Sequence, residues 1–190
     1  MIDQLLNLDR KLFIFINSDL SNSFFDWIMP WLRNPLFWAP LYVFMIIFFI
    51  KEYKIKGLYL IGFLLLTFAI ADYTSASIIK PIFQRLRPCN DVSMAGQINL
   101  LVNCGKGFSF VSSHATNHFA IALFLIGTFG NRWRWVIVAS LIWAAAISFA
   151  QVYVGVHYPI DVFCGGLLGA LIGALVSSLQ KAAFILDGNN

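Results

Sequence analysis

The chain holds three histidines, and each is placed where it could do chemistry. His114 and His118 stand four residues apart, one turn on a helix, and His157 stands four residues before Asp161. Three cations, Lys80, Arg85 and Arg87, fall in one short polar stretch. A carboxylate on one imidazole nitrogen fixes the tautomer and leaves the other nitrogen free to attack or to take a proton. An arginine fork matches phosphate oxygens. The segment Ser112-Ser113-His114 opens a predicted helix, where free N–H groups and the positive dipole end favour an anion. Cations, helix-end amides and two histidines around one anion are the parts of phosphoryl transfer through a phosphohistidine. A zinc set made from His114, His118, His157 and Asp161 is the rival reading, and Lys80 and Arg87 oppose it by repelling a cation. No Gly-x-Ser-x-Gly elbow is present, which argues against a serine hydrolase.

The elements that must position these residues are membrane helices. Of 190 residues, 59% are hydrophobic and 12% charged, and the mean hydropathy is +0.77. Too little polar surface is available to cover a water-soluble globule of that size, so disorder and an ordinary cytosolic enzyme are both excluded. The net charge of +4 is small and scattered, so no nucleic-acid partner is expected. Asn7, Asp3 and Asp9 interrupt the place where a signal-peptide apolar region would lie, so the spans themselves are expected to direct insertion. Five spans are predicted: 35–50, 57–79, 112–130, 133–154 and 159–179. Residues 1–34 read as an amphipathic segment in the headgroup layer, with Leu5, Leu6, Leu8, Leu12, Phe13, Phe15 and Ile16 recurring at roughly helical spacing. Residues 80–111 read as an extramembrane catalytic loop within a single domain, 1–190. Gly165, Gly169 and Gly173 repeat every four residues and make a face for close helix packing. Counting crossings puts Lys80, Arg87, Ser112, His114, Gln151, His157 and Asp161 on one membrane face. Lys51, Lys54, Lys56, Arg132, Arg134 and Lys181 fall on the other, which the positive-inside rule makes cytoplasmic. Cys89 and Cys104 bracket the loop fifteen positions apart and are disulfide candidates if it faces an oxidising compartment; two unrelated thiols are the alternative.

Three runs of residues carry a resemblance to a known family. Lys80-Pro-Ile-Phe-Gln-Arg-Leu-Arg87-Pro88 is similar to the first signature of the type 2 phosphatidic acid phosphatases (PAP2), Lys, six residues, Arg-Pro. Val111-Ser112-Ser113-His114 resembles the second, Pro-Ser-Gly-His. Gln151 followed by Val152-Tyr-Val-Gly-Val-His157-Tyr-Pro-Ile-Asp161 resembles the third, Ser-Arg, five residues, His, three residues, Asp. The resemblance implies an all-α polytopic membrane bundle of the acid-phosphatase kind, working without a metal or other cofactor on a phosphorylated lipid. It implies His157 as nucleophile, Asp161 as its brace, and His114 as general acid. Lys80, Arg87, Ser112 and the amides around Ser113 are implied as phosphate ligands. The chain departs from the pattern at Val111, Ser113, Ala150 and Gln151, and the last exchanges a charged donor for an amide. Arg85 either restores that charge or faces the headgroups; the sequence leaves both open, as it leaves open a catalytically weakened lipid-phosphate binding or transport protein. His118 either orients His114 or is a packed ring, and Asp72 either serves the site or pairs with a neighbouring helix. The expected place is a bacterial inner membrane with the pocket facing the periplasm. Undecaprenyl diphosphate, phosphatidylglycerol phosphate, phosphatidic acid and lipid A are candidate substrates, and the oligomeric state is left open.

Overall fold

A computed structural model describes residues 2–183 and is helical except for the largely irregular segment 84–112, with no strand among the described residues. Helix α1 (Ile2–Ile14) runs into a wide turn at Phe15–Asp19, and α2 (Ser23–Leu32) follows. A 3₁₀ turn at Pro35–Trp38 leads into α3 (Ala39–Tyr53). Then come α4 (Ile55–Tyr73), a second wide turn at Thr74–Ile79, and the single-turn α5 (Lys80–Phe83). The long helices α6 (Ser113–Phe129), α7 (Trp135–Tyr153) and α8 (Pro159–Ala183) complete the chain.

Local chemistry sets these boundaries. Asn22 caps α2 by accepting from the Phe25 amide at 3.0 Å, and Asn34 caps the 3₁₀ turn by accepting from the Leu36 amide at 3.0 Å. Pro159 opens α8, and the Asp161 carboxylate reaches back to accept from the Tyr158 amide at 2.9 Å.

The bundle is built around α6, which packs on α8, α7 and α4, while α3 packs on α4. The close approach of α6 to α8 rests on the glycine face. A Cβ added to Gly169 or Gly173 would stand 2.1 Å from the carbonyl oxygen of Thr116 or Ala120. On the opposite side of α8, Leu167, Leu171, Leu175 and Leu179 are each more than half exposed. An outward leucine stripe with small residues inside suits a helix whose solvent is hydrocarbon.

The five predicted spans correspond to α3 with its leading turn, α4 with its trailing turn, α6, α7 and α8. Four are long and apolar enough to cross a membrane. The predicted span at 112–130 is a helix of only 17 residues, about 25 Å long at 1.5 Å per residue. Its first turns are polar because they belong to the site. At the other end of the chain, α8 runs past the predicted Leu179 to Ala183.

In the N-terminal segment, Leu5, Leu8, Leu12 and Phe15 point outward, and the buried face carries Asp9, Phe13 and Asn17. Asn17 is a clamp: its Nδ2 donates to the carbonyls of Tyr153 at 2.6 Å and Asn99 at 2.8 Å, and its Oδ1 accepts from the Asn99 amide. The 80–111 loop is thereby held against the end of α7. Cys89 and Cys104 are joined by a disulfide across a Cα separation of 5.9 Å.

Candidate active site

His157 lies in the short α7–α8 connection and is almost fully buried. Its place is fixed from behind, because its amide and that of Val156 both donate to the Gln151 carbonyl, at 3.2 and 3.3 Å. The predicted break between the spans ending at 154 and starting at 159 places His157 between two helices. The structure agrees: the chain turns at residues 154–158, and α8 starts at Pro159. The two side chains still meet, with His157 Nδ1 3.6 Å from Asp161 Oδ2. Ser109 closes that gap, its hydroxyl 3.3 Å from Nδ1 and donating to Asp161 Oδ2. Nδ1 therefore faces two acceptors and carries the proton, which leaves Nε2 unprotonated as an acceptor toward Arg87. Burial pulls the His157 pKa down to about 4, against the pull of Asp161, so the ring is neutral near pH 7.

The arginines of the loop divide in two. Arg85 Nη1 donates to Asp161 Oδ1 and Nη2 to Asp9 Oδ2, both at 2.6 Å, while its guanidinium lies 4.1 Å over the Tyr158 ring. Arg85 is thus not placed as the phosphate ligand that the sequence allowed, since both terminal nitrogens are committed to carboxylates. Arg87 differs. Its Nη1 lies 3.3 Å from His157 Nε2 and 3.3 Å from the Val156 carbonyl, and it forms no salt bridge among the described residues. Lys80, at the start of α5, is likewise without a salt bridge there, and its charge interacts with those of Arg87 and Asp161.

The start of α6 completes the cluster. Ser112 is fully buried; its amide donates to the Asp161 carbonyl at 3.0 Å, and its hydroxyl accepts from the Ala115 amide at 3.5 Å. Ser112 thus caps the helix and ties α6 to α8, and its hydroxyl, an acceptor in that bond, keeps its own hydrogen to donate. Ser113 accepts from the Ser75 hydroxyl at 3.0 Å, so its added side chain is used within the protein. The amides of Ser113 and His114 are first-turn donors with no helix carbonyl to serve. His114 lies close enough to His157 and Lys80 for their charges to interact.

Two of the remaining candidates, His118 and Asp72, make contacts within the bundle, and Gln151 does not. His118 donates from Nδ1 to the His114 carbonyl at 2.7 Å, its Nε2 faces the Tyr42 hydroxyl at 3.4 Å, and its ring packs on Trp143 at 4.9 Å. Asp72 accepts from Asn117 at 2.9 Å across the α4–α6 contact. Gln151 is fully buried, and neither atom of its amide finds a partner. Among the described residues, no three His, Cys, Asp or Glu side chains converge to hold a metal ion. Sequence reasoning missed Ser109 and Asp9. Asp9 had one available signal, an acid in an otherwise leucine-rich helix, whereas Ser109 had none.

The fold and this cluster together define a polytopic membrane bundle with a cluster of histidines and cations at one end. Residues 56–185 match the PAP2 superfamily. The chain is 33% identical to the lipid A 4'-phosphatase of Bacteroides thetaiotaomicron over 89% of this chain and 75% of that protein. It is 33% identical to the undecaprenyl-diphosphatase of Sulfolobus acidocaldarius over 70% of this chain and 58% of that protein. In fold it resembles the transmembrane PAP2-type phosphatidylglycerolphosphate phosphatase of Bacillus subtilis. The TM-score is 0.72 at 22% identity, covering 96% of this chain and 89% of that one. The chain belongs to the PAP2 superfamily. It is an enzyme, a membrane lipid phosphatase of that type.

Proposed function

We propose that the chain hydrolyses the phosphomonoester or diphosphate headgroup of a lipid by way of a phosphohistidine on His157, with no metal. The observation that carries this reading is the pair of environments around one ring. Nδ1 faces Ser109 and Asp161, while the unprotonated Nε2 faces the Arg87 guanidinium at 3.3 Å. In the first step the Nε2 lone pair forms a bond to phosphorus as the bond to the leaving oxygen breaks. His114 donates a proton to that oxygen. In the second step water attacks phosphorus, the P–N bond breaks, His114 takes the water's proton, and phosphate departs. Lys80, Arg87 and the amides of Ser113 and His114 bind the phosphoryl oxygens as charge develops on them.

An apolar cavity of about 390 Å³, lined by residues including Phe44, Phe48, Leu125 and Trp143, gives the lipid tail a path. Trp143, in ring contact with His118, links that cavity to the end of the bundle carrying His114. Lipid A phosphates are the substrates to try first, because that relative aligns over most of both chains. Undecaprenyl diphosphate, phosphatidylglycerol phosphate and phosphatidic acid complete the panel. The disulfide beside the site and the cations on the opposite face support a periplasm-facing pocket in a bacterial inner membrane. Residues 1–34 would lie along that interface with their leucines in lipid. The test is phosphate release from this panel in detergent micelles with His157→Gln as the blank. Release by the unmodified protein alone supports the reading, and no release from any lipid phosphate overturns it in favour of a binding or transport role.

A further inference from the structure

Arg33, at the end of α2, was not among the residues singled out by motif. The corner that carries it is firmly held. Leu32 packs on the buried cluster containing Ala150 and Val154, next to Gln151, and the Trp38 indole donates to the Leu32 carbonyl at 2.7 Å. Trp38 in turn meets Trp143 at 5.9 Å, and Trp143 meets His118. A chain of packed rings therefore brings the α2–α3 corner to the end of the bundle where α6 and α7 hold the site.

The Arg33 guanidinium is unusual in its company. Its Nε is buried without a hydrogen-bond partner, and it forms no salt bridge among the described residues. Its charge acts on Arg87 and on His114, so its charged neighbours are a second guanidinium and an imidazole. A part-buried cation beside other cations is unfavourable until an anion joins it. Arg85 shows the contrast within the same site, since there two carboxylates satisfy the charge. Lys80, Arg87 and Arg33 come from three elements and form no salt bridge among the described residues, while the Asp161 charge acts on the first two and not on Arg33. Gln151, where the third signature carries arginine, contributes no charge to it.

Resting on the phosphatase reading above, we propose that Arg33 is a phosphate-binding residue of this site. From the α2–α3 corner it supplies a third cation on the side of the phosphoryl group nearest His114. This makes the N-terminal segment part of the site, although the three signatures lie wholly outside it.

The test compares the unmodified protein with Arg33→Ala, Arg33→Lys and His157→Gln, reading both lipid-phosphate turnover and the affinity for orthovanadate, a phosphoryl mimic. Arg33→Ala should lower kcat/KM and weaken vanadate binding by about 10- to 100-fold, and Arg33→Lys should lie between, keeping charge but losing the fork. A merely structural Arg33 would reduce folded yield and leave vanadate affinity per folded molecule unchanged. Vanadate affinity and kcat/KM within twofold of the unmodified protein in both Arg33 variants would overturn the proposal. If Arg33→Ala does not fold, Arg33→Lys decides it by the same two readings. Undiminished turnover in His157→Gln would instead strike the histidine reading, and vanadate affinity would still judge Arg33.

Discussion

Single residues in this site are sorted by what neutralises them. Arg85 and Arg87 are two positions apart, yet Arg85 is locked between Asp9 and Asp161 while Arg87 faces His157 Nε2. Arg85→Ala would leave two buried carboxylates without a counter-charge. It should cost about 3–5 kcal/mol and lower the melting temperature in detergent. Arg87→Ala should leave that temperature nearly unchanged and instead raise KM and weaken vanadate binding. Equal thermal losses in the two variants would contradict the division. A second expectation concerns protonation. Because burial holds the His157 pKa near 4, its ring nitrogens, followed by NMR and assigned against His157→Gln, should report a neutral imidazole down to about pH 4. A midpoint near 6.5 would show that the ring is solvated. The histidines, Asp161, Lys80 and Arg87 were legible in sequence because ionisable groups in an apolar chain stand out. Ser109 was not, since a serine acquires its role only when the fold sets it between two other side chains. Arg33 was illegible for another reason: a cation just before a span reads as an interfacial anchor.

Element by element, the α6–α8 contact decides whether the site exists, because the Ser112 amide of one helix holds the Asp161 carbonyl at the start of the other. Gly169→Ala puts a methyl where Thr116 oxygen already stands, 2.1 Å away. Forcing the helices apart should cost about 1–3 kcal/mol and reduce turnover. Gly62 of α4 is the matched control: nothing lies within 4 Å of its added Cβ. Gly62→Ala should stabilise the helix by about 0.5–1 kcal/mol, read as a higher melting temperature. Losses of equal size in both variants would contradict the packing account. The spans and the glycine face were readable from apolar length and the four-residue repeat. So was α6, predicted at 112–130 and found at Ser113–Phe129, whose polar first turns belong to the site. The break between α7 and α8 was readable as well, because Pro159 suits a first helical turn.

The whole molecule works as a membrane bundle that holds a polar loop over one of its ends. The Cys89–Cys104 bridge closes that loop two residues after Arg87, and Asn17 pins its far side to α7. Closing a fifteen-residue loop stabilises by about 3 kcal/mol in the chain-entropy account, so Cys89→Ser should lower the melting temperature and raise KM. Reductant should do the same to the unmodified protein, and indifference to both would mean the loop is held without the bridge. The fold class was legible from composition, whereas the docking of α1 through Asp9 required the fold, since its partners lie far along the chain. The central claim is that His157 takes the phosphoryl group covalently, and rapid quenching of the purified enzyme during turnover of a labelled lipid phosphate tests it most directly. The account predicts an acid-labile, base-stable phosphoenzyme mapping to the peptide that carries His157 and absent from His157→Gln. Turnover with no phosphoenzyme at any time, or with the label on another residue, would contradict it.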